Sequence, residues 1–76
     1  MASSLEAVVA AAMEVTIGEV TDDLGPATTG QWTSLRHVQL MSAVQRTYGI
    51  RLEAREMRSV RNVGHLRELL RTKGVV

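Results

Sequence analysis

The chain has 76 residues, 45% of them hydrophobic, a net charge of +1 and no cysteine. That length suits one domain, residues 1–76, with a small core, and it leaves little room for a deep, water-excluding catalytic cleft. Disulfides and thiolate metal sites are excluded, and a binding, carrier or adaptor role is favoured over an enzyme.

The charge is unevenly placed. Residues 1–32 hold five acids and no Lys or Arg, whereas residues 33–76 hold nine bases and three acids. Such asymmetry points to partners more than to fold. Trp32 and Tyr48 are the only aromatic residues. The core must therefore come from Leu, Val, Ile, Met and Ala, a set that suits helices. The longest apolar run, Ala7 to Met13, is too short to cross a membrane. The start, Met1-Ala2-Ser3-Ser4-Leu5-Glu6, lacks the basic segment of a signal peptide. A cytoplasmic protein is expected, either free-standing or a domain of a longer chain.

Ser3 or Ser4 can cap a first helix. Leu5, Val8, Val9, Ala12, Met13 and Ile17 recur at spacings of three and four, which predicts a helix over residues 4–17 with Gly18 as its stop. Periodicity is lost over residues 18–32, where Gly18, Gly25, Pro26 and Gly30 fall. This connection of about 15 residues is long for so small a domain. Val20, Leu24 and Trp32 are expected to pack inward and order it.

Thr33 can cap a second helix that runs to Tyr48 and stops at Gly49. His37, Leu40, Met41, Val44 and Tyr48 share its core face. Leu35, Val38 and Ser42 share a neighbouring face that can stay exposed. Ile50 and Leu52 flank Arg51 in a short extended linker. Residues 53–58 predict a brief third helix. Asn62 caps a last helix carrying Val63, Leu66, Leu69 and Leu70, which ends at Gly74. The fold expected is all-α, with four helices, a long first loop and a short third helix.

Ser34 carries the chemistry of interest. It falls in the first turn of helix two, directly after the long loop. Unpaired N–H groups and a partial positive charge at such a place suit a phosphate. Taken alone, Ser34 reads as an ordinary helix-start residue.

The segment Trp32-Thr33-Ser34-Leu35, followed by Tyr48-Gly49-Ile50-Arg51-Leu52, then Asn62-Val63-Gly64-His65-Leu66 and Leu69-Leu70, resembles the acyl carrier protein family. That family includes the carriers of polyketide and nonribosomal peptide assembly. The order and spacing of the pieces match over nearly the whole chain, from Leu5 to Leu70. The resemblance implies a four-helix bundle of the acyl carrier type, with 4'-phosphopantetheine carried covalently on Ser34. A phosphopantetheinyl transferase would attach it, and its thiol would hold an acyl or aminoacyl group as a thioester. Loading enzymes and downstream synthase or tailoring enzymes would then be the partners of a monomeric carrier that itself catalyses nothing. Thr33, Leu35, Arg36, Val38 and Ser42 would be the partner-facing residues.

Two departures stand out. The family's Asp before the serine is Thr33 here, which can still cap the helix but offers no carboxylate to the transferase's metal. Helix two is usually acidic in the family. Here it carries Arg36, His37, Gln39, Gln45 and Arg46 and no acid, which implies partners with acidic or apolar docking surfaces. Two other readings stay open: an armless interaction module using helix two, and a small basic nucleic-acid binder built on Arg51, Arg55, Arg58, Arg61, Arg67, Arg71 and Lys73. A solvated basic face is favoured over nucleic acid, because no basic run or aromatic interleaving accompanies it. His37 and His65 lack the companions of a metal site. The first falls at the margin of the core and the second on a solvated face.

Overall fold

The computed structural model describes residues 4–76. Ser3 lies outside the described residues, and the cap of the first helix is Ser4, whose hydroxyl accepts the Ala7 N–H at 3.1 Å. The described residues form four α-helices: α1 (Leu5–Met13), α2 (Ser34–Tyr48), α3 (Ala54–Ser59) and α4 (Val63–Thr72). A 3-10 turn, Ile17–Glu19, interrupts the first loop, and no strand occurs among the described residues. No helix among them is long and apolar enough to cross a membrane.

The first helix is shorter than its periodicity predicts. It stops at Met13 because Glu14 turns left-handed, with φ 56° and ψ 46°. The Glu14 and Val15 N–H groups then both donate to the Ala10 carbonyl, closing the helix end. Three β-branched residues follow, Val15, Thr16 and Ile17, which crowd a helical backbone. Thr16 and Glu19 instead cap each other around the 3-10 turn. Gly18 is therefore inside that turn and does not stop the helix. Ile17 is 57% exposed, outside the core that its spacing suggests.

The other boundaries follow local chemistry. The Thr33 hydroxyl accepts the Arg36 N–H at 3.2 Å, and α2 ends at Gly49, which takes φ 64°. The Asn62 side chain accepts the His65 N–H at 2.8 Å and starts α4. Glu53 and Glu56 form the reciprocal cap that lets the six residues of α3 hold a helical turn.

Val9 and Met13 of α1, Leu40, Met41 and Val44 of α2, and Val63, Leu66 and Leu70 of α4 are fully buried. Leu52 and Val60 close the core from the linkers on either side of α3. Within the first loop, Val20 and Trp32 are buried and Leu24 is half-buried, as the loop's apolar residues suggest.

The loop is ordered by its backbone as much as by its side chains. The Val63 N–H donates to the Leu24 carbonyl and the Gly64 N–H to the Asp22 carbonyl, both at 2.9 Å. These bonds satisfy donors that the first turn of α4 leaves free. Gly25 comes so close to the α3–α4 linker that a Cβ there would lie 2.2 Å from the Arg61 carbonyl oxygen. The loop after α1 thus rests on the chain entering α4.

Part of the charge asymmetry is used inside the fold. Arg67 of α4 reaches both Glu6 of α1 and Asp22 of the loop, the second at 3.2 Å. Arg36 pairs with Glu14 at 3.4 Å, and Lys73 with Glu56 at 2.9 Å. Hydrogen bonding to the Arg67 guanidinium holds the Glu6 carboxyl below its ordinary range, and the Arg67 guanidinium is raised in turn. Arg67 is thus an internal cross-link between the acidic first part and the basic last part.

Candidate functional site

Ser34 is the first residue of α2 and is exposed. Its hydroxyl has no hydrogen-bond partner among the described residues. It borders an open depression of about 460 Å³ between the end of the first loop, the start of α2 and the chain around α3. Pro26, Trp32 and Thr33 form the loop side, His37 and Val38 the α2 side, and Arg58 and Arg61 the far side. No carboxylate lines it.

A smaller hollow of about 260 Å³ lies between α2 and α3 and shares His37, Val38 and Arg58 with the first. Its remaining lining is Met41, Ala54 and Met57. The two hollows thus flank the same stretch of α2, the first beside Ser34 with guanidinium groups on its wall and the second lined by methionine and alanine side chains. A separate hollow between α1 and α2 is floored by Ala7, Ala11 and Ala43 and has Arg46 as its one charged residue.

The wall of the depression is held by a three-part relay. The Trp32 indole N–H donates to His37 Nδ1 at 3.0 Å. An indole N–H only donates, so Nδ1 must be the acceptor and the ring proton sits on Nε2. Nε2–H then donates to the Met57 carbonyl at 2.9 Å. One neutral imidazole therefore ties the loop before Ser34, the first turns of α2 and the body of α3. The spacing is that of a helix staple, with Trp32 just before the Thr33 cap and His37 at the fourth helical position. Sequence reasoning put His37 only at the core margin; the staple spacing was the signal that marks its partner.

The predicted partner-facing residues separate into two groups. Leu35 and Val38 are 67% and 65% exposed, an uncommon state for two apolar residues a turn apart, and Ser42 is exposed below them. Arg36 is turned the other way. Its guanidinium donates to the Met13 and Gln31 carbonyls at 3.2 and 3.3 Å and pairs with Glu14, so it anchors α2 to the end of α1. Thr33 is exposed, with its hydroxyl acting as the helix cap.

The basic residues also separate. Arg36, Arg55, Arg67, Arg71 and Lys73 form ion pairs, and Arg46 bonds the Ser42 hydroxyl. Arg51, Arg58 and Arg61 have no side-chain partner among the described residues, and the last two both wall the depression at Ser34. His65 is exposed and its Nδ1 accepts the Arg61 N–H at 3.2 Å, a local turn contact. No group of three His, Cys, Asp or Glu that could hold a metal occurs among the described residues.

Against models of known families and against curated proteins, the chain has no match.

Proposed function

We propose that the protein is a carrier that bears 4'-phosphopantetheine on Ser34 and delivers an acyl or aminoacyl group to partner enzymes of a biosynthetic pathway. The observation that carries this reading is the placement of Ser34. It joins an exposed, unpartnered hydroxyl, the first turn of a well-capped helix, and a depression lined by two free guanidinium groups and no acid. These features fit the group: a phosphodiester needs an open attachment atom, N–H donors and countercharge.

Attachment balances simply. The Ser34 oxygen bonds to the phosphorus next to the pantetheine of coenzyme A. The bond from that phosphorus to the adenosine 3',5'-bisphosphate half breaks, and the hydroxyl proton passes to a base of the transferase. Once bound, the arm supplies a thiol for thioester chemistry. The chain itself contributes position: Thr33 caps the helix that presents Ser34, and the Trp32–His37–Met57 relay fixes the loop beside it. Leu35 and Val38 offer an apolar contact for a docking enzyme. The same exposed pair also supports the alternative, an armless module that holds a partner through α2.

Purified protein is incubated with coenzyme A and a transferase that accepts many carriers, and its intact mass is taken. The expected result is a gain of one phosphopantetheine that Ser34→Ala abolishes. Absence of any gain, both in the native protein and in Thr33→Asp, would refute the carrier reading and leave the interaction module.

A further inference from the structure

We infer that Arg58 and Arg61 bind the phosphodiester on Ser34, so that the base of the arm is held against the depression these two guanidinium groups wall. The inference rests on the carrier reading of Ser34 and adds to it the residues that hold the phosphate.

Three observations carry it. First, Arg58 and Arg61 are the basic residues that combine a free side chain with a place at Ser34, while six of the nine bases are held by partners elsewhere. Second, nothing there opposes an anion. No carboxylate lines the depression, α2 contains no acid, and the residue before the serine is the neutral Thr33. A carboxylate at that position would stand beside the phosphate and repel it. Third, Ser34 opens α2 and its exposed hydroxyl has no partner among the described residues, so a phosphate on it stands at the helix start and in the depression that the two guanidinium groups wall.

Guanidinium recognises phosphate with paired N–H donors, which a single ammonium cannot reproduce. Both arginines are exposed. Their hold is therefore weak and sensitive to salt, as a carrier that must release its arm to an enzyme requires. Gly25 contributes indirectly. Its close approach to the Arg61 carbonyl seats the loop carrying Pro26 and Trp32 against the chain that bears Arg61.

Trp32 is the sole tryptophan and lines the depression, so the protein carries its own reporter. The protein is converted fully to the modified form, checked by mass, and compared with the unmodified form by Trp32 emission. The phosphodiester is followed by phosphorus NMR. The native protein should show a Trp32 emission shift on modification, and that shift should be lost in high salt. Arg58→Gln with Arg61→Gln should abolish the Trp32 shift and move the phosphorus resonance to that of the free arm, while Arg58→Lys with Arg61→Lys retains part of both. Equal Trp32 emission before and after modification, with one phosphorus resonance shared by native and double-variant protein, would overturn the inference while leaving the carrier reading intact. No mass gain at all would overturn the carrier reading, and this inference with it.

Discussion

Replacing Gly25 by alanine isolates the contact that seats the long loop. The added Cβ would lie 2.2 Å from the Arg61 carbonyl oxygen, and 3.1 Å from both Cα and Cβ of Asn62. Ordinary contact begins at 3.4 Å, so the first pair must open by about 1.2 Å (3.4 less 2.2). Neither side can yield by turning a flexible side chain, because the obstacle is backbone on the neighbouring linker. The shift strains the two 2.9 Å bonds from Val63 and Gly64 to the Leu24 and Asp22 carbonyls. Overpacking costs about 1–3 kcal/mol, and weakening two hydrogen bonds adds about 1 kcal/mol. A total of about 2–4 kcal/mol is a large part of the roughly 4–11 kcal/mol expected for a domain of this size. Thermal unfolding followed by far-UV circular dichroism should show Tm lower by roughly 10–25 °C. Gly30→Ala is the control, since a Cβ there meets nothing within 4 Å, and it should stay within about 0.5 kcal/mol of the native protein. A Gly25→Ala melting point within about 4 °C of the native value would refute the close approach.

Other substitutions test the relay, the cross-link and the cap. His37→Leu leaves the Trp32 N–H and the Met57 carbonyl without their partner, and should cost about 1–3 kcal/mol with a shift in Trp32 emission; unchanged emission would argue against the relay. Arg67→Met removes the pairs to Glu6 and Asp22 and should cost about 1 kcal/mol at neutral pH, kept small by solvent screening. Glu6 titrates below its ordinary value of 4.5 in the folded chain, so its contribution is present above that pH and is lost as pH falls through the lower folded value. The stability gap between Arg67→Met and the native protein should therefore shrink below about pH 4.5, and a gap that stayed constant in acid would contradict the pairing. Thr33→Val deletes the hydroxyl that accepts the Arg36 N–H and should cost about 1 kcal/mol in urea unfolding, whereas Thr33→Asp should be at least as stable as native.

The second and fourth helices were legible because each has both a side-chain cap and an apolar stripe. Thr33, Gly49 and Asn62 do in the structure what their residue types predict. The first helix misled at its end. Ile17 continues the spacing of Leu5, Val9 and Met13, yet Glu14 turns left-handed and Thr16 finds Glu19, so local capping overrides periodicity. The charge asymmetry was visible, but its internal use was not. The pairing of Arg67 with Glu6 and Asp22 joins residues far apart in sequence, and only the docking of α4 beside α1 and the loop brings them together. The same limit hid the separation of free from paired arginines. Arg58 and Arg67 look alike in sequence, while one faces the Ser34 depression and the other is an internal tie.

The long first loop then has a physical reason to exist. Two packed helices could be joined with far fewer residues than 14–33, and ordering each extra one costs about 1–2 kcal/mol. That cost is offset by contacts whose common effect is to fix the surroundings of one exposed serine. Leu24 and Asp22 bond the start of α4, Gly25 rests on Arg61, and Trp32 reaches His37, which in turn holds α3 through Met57. A loop serving the core alone would need Val20 and Trp32 and little more. This one also brings Pro26, Ser34 and Arg61, which are apart in sequence, to one depression. The reading that best accounts for so much ordered backbone is that the position of Ser34 relative to Arg58 and Arg61 matters, and that is the quantity the Trp32 comparison measures.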